Sequence, residues 1–488
     1  MKKMRITHLN TAILSIALAV GLHTAVAAQS NGASRSNRAN SPDQLNEKVD
    51  KVFTQWDKPD SPGCALGVIS GGKLVYKRGY GSANLDYNAP LTSESVFYIA
   101  STSKQFTAAS VLLLVRRGVI SLDDDIRKYL PEIPKYEAPI TINHLVHHTS
   151  GLRDYLELMG MAGRRMDEPF NNQYAVELIA RQKGLNFQPG ERFLYSNSNY
   201  VLMAEIVRRA SGKSLRDFAA ENIFRPLGMN STHFDDDRTA VVKKRVVSYM
   251  PAGNGQFKQF VKTIEAVGDG NLLTTVEDLA KWDQNFYEDK VGGDGFSRQM
   301  LTRTKLNDGK EIPYAFGLGN EEYRGLKAVA HGGGFMGFRT ELIRFPDQRF
   351  TVICLCNNGA ANPGALARQV ADLYLSDQLK PAEPGPENKP AAPNPSQAPA
   401  LTPEQLAEYT GSFYSEELEA AWQIVIEQGA LFIKARNAPQ ASLVPQSKDE
   451  FRRLGVTLSF ARNDRGQIIE FALNGGRAKN IKFVRIAN

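Results

Sequence analysis

Apolar positions up to about residue 378 change between the two-residue spacing of strands and the three-to-four-residue spacing of helices. Strand-like segments lie toward the two ends of this stretch, and helical spacing fills its middle. Predicted strands cover 64–70, 73–81, 339–345 and 350–356, and predicted helices cover 102–117, 198–210 and 276–287. This order predicts an α+β fold: an antiparallel sheet built from both ends, flanked by helices and a helical subdomain. A cleft between sheet and subdomain is the expected ligand site.

Two more helices and a second domain complete the predicted organisation. One helix follows a cap at Ser41, and the other spans 360–377. After a proline-rich linker, a helix opens at Thr402 and short strands recur at 422–427, 431–435, 457–461, 468–473 and 479–486, which predicts a small, barrel-like all-β domain. The predicted units are a signal peptide at 1–28, a disordered segment at 29–40, a main domain at 41–378, a linker at 379–400 and the β domain at 401–488.

The first 28 residues have the three zones of a secretory leader. Lys2, Lys3 and Arg5 precede an apolar run at 11–22, and Ala25-Val26-Ala27 fits a signal-peptidase site. The run is shorter than the ~20 residues that a spanning helix needs. The sequence therefore predicts export, to the periplasm or the medium, and no membrane span.

Charge and cysteine content narrow the class of protein. Lys and Arg total 59 against 52 Asp and Glu, without a basic block, so nucleic-acid binding has no support. The three cysteines, Cys64, Cys354 and Cys356, allow at most one disulfide. Cys354 and Cys356 are expected on one face of a strand as small buried side chains. No pattern indicates an oligomeric state.

Candidate chemistry begins with two S-x-x-K sequences. Ser101 and Lys104 lie at the start of a predicted helix, where residues three apart share a face and free N–H groups favour negative charge. Lys104 can take the serine proton if burial lowers its pKa. Ser70 and Lys73 lie in a predicted hairpin turn, where their side chains would not converge. Ser101 is therefore the candidate nucleophile.

Two further motifs supply partners for Ser101. Tyr195 and Asn197 form the chain's only Y-x-N, in a loop before a helix. A neighbouring lysine ammonium is expected to hold the Tyr195 hydroxyl toward its phenolate form, and the Asn197 amide can bind a substrate carbonyl. The second motif, His331-Gly332-Gly333-Gly334, precedes the strand predicted at 339–345, and its glycines let a ligand lie against the backbone.

In this order the three motifs resemble those of the serine β-lactamase and penicillin-binding-protein superfamily. The flanking segments Leu145–Leu152, Pro226–Met229 and Gly270–Leu279 are similar to its class C β-lactamase branch, which includes D-alanyl-D-alanine carboxypeptidases, D-aminopeptidases and carboxylesterases. The resemblance covers about residues 45–375. The segment from Leu406 onward is similar to a β domain often appended to such hydrolases.

The resemblance implies a role for each site residue. Ser101 becomes acylated, Lys104 and Tyr195 move protons, and His331 supports Tyr195 and the leaving group. Asn197, Gly332 and Gly333 bind substrate, and the backbone N–H groups of Ser101 and Gly334 form the oxyanion hole. Water then releases the acyl group, and no cofactor or metal is implied.

Alternatives to this interpretation remain. His144, His147 and His148 lack a carboxylate or cysteine at ligand spacing, so a structured loop is favoured over a metal site. Taken singly, Ser101 could be a helix cap and Lys104 a solvated side chain.

The substrate class follows from the third motif. A histidine at 331 resembles the D-peptidases more than the β-lactamases, which usually carry lysine. Gly332 and Gly334 stand where the carboxypeptidases carry carboxylate-binding hydroxyls, and Arg339 is the candidate replacement. Expected substrates are small D-peptides or amides, with esters or β-lactams as alternatives. A penicillin- or muropeptide-binding sensor with little turnover is the non-enzymatic alternative.

Overall fold

A computed structural model describes residues 42–381, 401–437, 439 and 441–487. The predicted signal peptide, the segment at 29–40, the Ser41 cap and most of the linker lie outside these residues. Within the described part of the chain, no helix is both long enough and apolar enough to cross a membrane.

Helices dominate the middle of the main domain. A 3-10 turn at Ala100–Ser103 leads directly into α2, and a π turn at Ala220–Phe224 joins α7 to α8. The described helices are α1 Pro42–Phe53, α2 Lys104–Arg116, α3 Ile142–Val146, α4 Tyr155–Met161, α5 Asn172–Ala180, α6 Asn197–Ser211, α7 Leu215–Ala219, α8 Arg225–Leu227, α9 Val276–Glu288, α10 Phe296–Met300, α11 Pro363–Tyr374 and α12 Pro403–Ala407, with further 3-10 turns such as Ile126–Lys128.

Strands form a main sheet, a closed barrel and three small ribbons. The described strands are β1 Cys64–Ser70, β2 Lys73–Tyr80, β3 Ser82–Asn84, β4 Ala89–Pro90, β5 Phe97–Tyr98, β6 His233–Phe234, β7 Ser248–Gly253, β8 Gln256–Phe260, β9 Leu272–Thr274, β10 Gly319–Tyr323, β11 Leu326–Phe335, β12 Phe338–Phe345, β13 Phe350–Cys356, β14 Gly411–Ser415, β15 Ala420–Glu427, β16 Ala430–Lys434, β17 Ser442–Ser447, β18 Glu450–Arg453, β19 Val456–Arg462, β20 Ile468–Asn474 and β21 Ile481–Ile486.

The main sheet joins the two ends of the main domain, as predicted. Its order is β10-β11-β12-β13-β1-β2, antiparallel throughout. β1 and β13 are fully buried apart from Ser70, because helices cover both faces: α1 and α11 on one, α9 on the other. The α+β prediction is confirmed.

A disulfide links two neighbouring strands of the main sheet, β1 and β13. Cys64 faces Cys356 across β1 and β13, and the two sulfurs are bonded. Cys354 is a buried free thiol whose Sγ lies 3.7 Å from that of Cys356. Cys354 and Cys356 are buried as expected, and Cys356 is also linked covalently to Cys64 at the other end of the domain.

The C-terminal β domain is a closed barrel of eight strands, β14 to β21. Five of these strands were predicted; β14, β17 and β18 were missed because they are short and irregular, with Pro445 inside β17. The barrel packs on the helical subdomain. Arg153 forms an ion pair with Glu417 at 2.7 Å, with both side chains almost fully buried. A buried pair of this kind fixes an orientation more than it stabilises the fold.

Candidate active site

Ser101 lies in a 3-10 turn between β5 and α2. Ala100 has a φ of +47°, a left-handed conformation that is uncommon for a residue with a Cβ and sharpens the turn. Ser103 Oγ donates to Ala100 O at 2.5 Å, and Leu272 N donates to Ser103 Oγ at 3.3 Å. α2 therefore begins at Lys104, two residues later than predicted, because the tight turn uses the preceding residues.

The glycine-rich motif holds this turn from the sheet side. It precedes the predicted strand, now β12, and itself lies within a strand that was not predicted, β11, whose glycines hide the strand signal. A Cβ on Gly333 would lie 2.3 Å from both Ile99 O and Thr340 Oγ1. These two atoms are hydrogen-bonded to each other at 3.0 Å. Thr102 Oγ1 donates to His331 O at 3.2 Å, so the turn Ala100–Ser103, called the nucleophile turn after its candidate nucleophile Ser101, is fastened directly to β11 and β12.

Lys104 is fully buried behind Ser101. Its Nζ lies 3.3 Å from Ser101 Oγ and 2.9 Å from Asn197 Oδ1, and it also donates to the backbone oxygen of Asp269. Burial lowers the pKa of Lys104, and the carboxylates of Asp269 and Asp154 partly oppose this shift. The sequence analysis required burial to lower the pKa of Lys104 if this lysine is to act as a base. The structure meets that condition.

Tyr195 lies beside Lys104 and Ser101. Lys104 Nζ is 4.9 Å from the centroid of its ring. The hydroxyl is buried and makes no well-formed hydrogen bond with the described residues. Burial raises the pKa of Tyr195 well above its usual range, and the Ser101 hydroxyl only partly opposes this. The structure therefore favours a protonated Tyr195 over the expected phenolate-like form, because burial has the largest effect and the carboxylates of Asp269 and Asp154 raise the pKa further.

Asn197 is the first residue of α6, and its amide has a fixed orientation. Its Nδ2 and its backbone N donate to Asp154 Oδ2 at 2.9 Å and 2.7 Å, so Oδ1 faces Lys104. Asp154 is completely buried and also caps α4. Sequence reasoning missed Asp154, although an aspartate before a helical run is a cap signal.

His331 lies beside Tyr195 and does not contact Ser101 directly. Its ring centroid is 6.2 Å from that of Tyr195. Its Nδ1 contacts Gly332 O at 2.6 Å, and its Nε2 contacts the Tyr314 hydroxyl at 3.0 Å. Burial and the Lys104 charge lower the pKa of His331 to about 4, so the imidazole is neutral. Tyr314 has no motif around it and was missed.

A cavity of about 370 Å³ opens over Ser101. Polar groups and apolar side chains share its lining, which consists of Tyr98, Ala100, Ser101, Leu156, Glu157, Met166, Tyr195, Asn197, Asp269, Gly270, Gly334, Phe335 and Arg477. Both predicted oxyanion-hole residues line it. A larger groove of about 770 Å³, along α5 and α6, contains none of the predicted site residues.

Three predicted binding residues lie outside that lining: Gly332, Gly333 and Arg339. A Cβ on Gly332 would meet the Glu341 carboxylate at 2.8 Å, on the other side of the strand from the nucleophile turn. Arg339 flanks Gly334, but its Nη1 donates to the backbone oxygens of Met336 and Phe338 at 2.8 and 2.7 Å.

Two of the three histidines that were weighed as a metal site, His147 and His148, contact protein groups. His147 contacts Asn143 O and Thr302 O at 3.0 and 3.3 Å. His148 accepts from Ser196 N at 3.2 Å, and its ring lies 4.4 Å from that of Tyr195. They belong to the structured loop that supports the tyrosine.

This fold, with Ser101, Lys104, Tyr195 and His331 grouped beside β11, defines a member of the serine β-lactamase and penicillin-binding-protein superfamily. The model of the Beta-lactamase family matches residues 49–375, and the chain belongs to that family.

Individual relatives agree with this placement. The chain is 31% identical over 415 residues to Penicillin-binding protein 4* of Bacillus subtilis (strain 168), covering 80% of this chain and 88% of the relative. It is 28% identical over 310 residues to a D-aminopeptidase of Gluconobacter oxydans (strain 621H), covering 64% of this chain and 58% of that protein. The octameric penicillin-binding protein homologue from Pyrococcus abyssi shares the fold, with a TM-score of 0.61 at 22% identity, over 91% of this chain and all of that one.

Proposed function

We propose that this protein is an exported serine hydrolase that acts through an acyl-serine intermediate on D-amino-acid peptides or amides. The observation that carries the mechanism is the set of three hydrogen-bond partners around Lys104 Nζ.

Those partners determine where a lysine lone pair can point. As an ammonium, Lys104 donates to Ser101 Oγ, Asn197 Oδ1 and Asp269 O. As a neutral amine it has two hydrogens and one lone pair. The two carbonyl oxygens only accept, so they take the two hydrogens. The lone pair is left facing Ser101 Oγ, which is the one partner with a proton to give.

The reaction then follows from this arrangement. Ser101 Oγ attacks the substrate carbonyl carbon while Lys104 takes its proton, and the oxyanion binds the N–H groups of Ser101 and Gly334. Tyr195, which burial keeps protonated, donates a proton to the leaving nitrogen or oxygen as the carbonyl–heteroatom bond breaks. The Lys104 ammonium restores that proton. Water then attacks the acyl carbon, the same groups take up its proton, and Ser101 leaves as a hydroxyl.

Neutral His331 supports the position of Tyr195 and does not itself transfer protons. With Nδ1 turned to Gly332 O, its Nε2 is left to accept from Tyr314, and its low pKa keeps it uncharged. With a pKa of about 4 and its Nε2 accepting from Tyr314, His331 is too weak a base to compete with Lys104 for the proton of Ser101.

Amides without a terminal carboxylate fit the site best. Gly332 and Gly334 offer no hydroxyl, and Arg339 already donates one nitrogen to two backbone oxygens. The D-aminopeptidase relatives support the D-amino-acid class by name. The same features favour an esterase as the second candidate, because an ester likewise needs no carboxylate clamp. The leader-like pattern at 1–28 supports export.

A substrate panel tests the proposal. Wild type and the Ser101→Ala variant are assayed on D-alanyl-D-alanine peptides, D-aminoacyl amides, p-nitrophenyl esters and nitrocefin. Ser70→Ala is the matched control, because Ser70 belongs to the other S-x-x-K and lies exposed in the β1–β2 hairpin. We expect D-aminoacyl amides to be cleaved by wild type and Ser70→Ala only. Fast ester cleavage without amide cleavage would instead assign an esterase, and fast nitrocefin cleavage a β-lactamase.

Mass spectrometry after a fluorophosphonate or penicillin challenge tests the covalent step. An adduct on Ser101 that turns over supports the hydrolase. A stable adduct without turnover on any substrate would instead indicate a penicillin or muropeptide sensor. Wild type without any adduct would refute the acyl-serine mechanism.

A further inference from the structure

A loop of the C-terminal barrel forms part of the cavity over Ser101. The loop joins β20 to β21 and spans residues 475–480, and its Arg477 lines the cavity. The main domain holds the loop by its backbone: Asp154 N donates to Arg477 O at 3.0 Å. Arg153 donates to the oxygens of Lys479 and Asn480 at 3.0 and 2.9 Å. The position of Arg477 is therefore fixed by docking of the barrel.

The Arg477 guanidinium is paired with two carboxylates. Its Nη1 lies 3.2 Å from Asp154 Oδ2, and its Nε donates to Glu157 Oε1 at 3.0 Å. The Asp154 side chain is 0% exposed, whereas that of Arg477 is 31% exposed. Burial raises the pKa of Asp154, and the charge of Arg477 opposes this shift. Arg477 thus helps a buried carboxyl group to stay ionised.

An ionised Asp154 determines how Asn197 is oriented. Both carboxylate oxygens of Asp154 accept hydrogen bonds. Oδ1 accepts from Leu156 N and Glu157 N, and Oδ2 accepts from the backbone and side-chain nitrogens of Asn197. A carboxylate is acceptor-only, so it holds Nδ2 and turns Oδ1 toward Lys104. A protonated Asp154 would instead carry a donor, and the amide orientation would no longer be fixed.

We propose that Arg477 is a positioning residue of the hydrolase, through which the docked barrel completes the catalytic site by way of Asp154 and Asn197. The inference rests on the proposed role of Lys104 as the base. Arg477 belongs to the loop between β20 and β21, more than 270 positions after Asn197 in the chain. The barrel is then a condition for activating the nucleophile, beyond any contact that it makes with substrate.

Several charged groups face the same centre and enter the expected pH dependence. Asp269 and Asp154 raise the pKa of Lys104 and Arg477 lowers it, while burial has the largest effect. Glu157 raises the pKa of Asp154. Loss of Arg477 therefore raises the pKa of both Asp154 and Lys104. Because activity needs Asp154 ionised and Lys104 neutral, the rising limb of the pH–rate profile is expected to move to higher pH.

The experiment measures the second-order rate of Ser101 acylation by a fluorophosphonate, as a function of pH, in the full chain. Because a charge-assisted contact with Asp154 is lost, Arg477→Gln is expected to slow acylation at neutral pH roughly 10- to 100-fold. Arg477→Lys should recover most of the rate. Arg462→Gln is the matched control, since Arg462 is a barrel arginine paired with Glu408 and Asp449 at 2.6 and 2.7 Å.

Asp154→Asn is the second variant. It tests the role of Asp154 even if Arg477→Gln fails to fold. It should slow acylation at every pH, and the double variant should be no slower than the slower single variant, because both changes act on one pathway. Wild-type rate and pH profile in folded Arg477→Gln or Asp154→Asn would overturn the inference, as would additive losses. If wild type itself forms no Ser101 adduct, the proposed function fails instead.

Discussion

Gly333→Ala tests how tightly the nucleophile turn is fastened to the sheet. The new Cβ would lie 2.3 Å from Ile99 O and from Thr340 Oγ1, which is about 1 Å short of an ordinary contact. Backbone and a buried threonine must therefore separate, and the hydrogen bond between them is lost. Overpacking costs about 1–3 kcal/mol and the lost bond about 1 kcal/mol more. Since Ile99 lies two residues before Ser101, a displacement of about 1 Å should lower kcat roughly 100-fold.

The assay compares kcat on the best substrate of the panel with the thermal unfolding midpoint. Gly332→Ala is the comparison within the same motif, because its Cβ would meet only the movable end of Glu341, at 2.8 Å. We expect Gly333→Ala to lose both activity and stability, and Gly332→Ala to lose much less of each. Equal losses in the two variants, or wild-type kcat in Gly333→Ala, would refute the proposed fastening.

Three further predictions concern the supporting groups. Tyr314→Phe removes the hydrogen bond to His331 and should lower kcat about 2- to 10-fold with little change in Tm, measured by steady-state kinetics. kcat/KM should rise with pH as Lys104 loses its proton, with an apparent pKa below the usual lysine value, and His331→Gln should not change that limb, since His331 is already neutral above about pH 4. Cys64→Ser opens the disulfide with Cys356 and should cost about 2–5 kcal/mol of unfolding free energy in denaturant titrations.

Local sequence patterns predicted four strands of the main sheet and one of the helices that cover it. The strands β1, β2, β12 and β13 follow from apolar runs and turn residues, and the helix at 276–287 follows from its Thr275 cap. β11 could not be predicted in the same way, because its three consecutive glycines carry no strand preference. It is a strand because it pairs with β10 on one side and β12 on the other, and its glycine at 333 is needed because the nucleophile turn lies against the backbone there. Both reasons are tertiary.

The candidate site shows the same division between local and long-range causes. Ser101, Lys104, Tyr195 and Asn197 lie in short motifs, and the structure brings them together around Lys104 Nζ. Tyr314 was not predictable, because nothing near it in the chain indicates that its hydroxyl meets His331.

The protonation states of the site could not be predicted from residue types alone. A lysine near a tyrosine suggested a phenolate, yet burial dominates for both groups and drives each toward its neutral form. A neutral amine and a protonated phenol are the pair that the proposed acylation needs, one to accept a proton and one to donate it. In the proposed mechanism the burial of the site, set by the helices and barrel packed over Ser101, therefore determines the direction of proton transfer as much as the motif residues do.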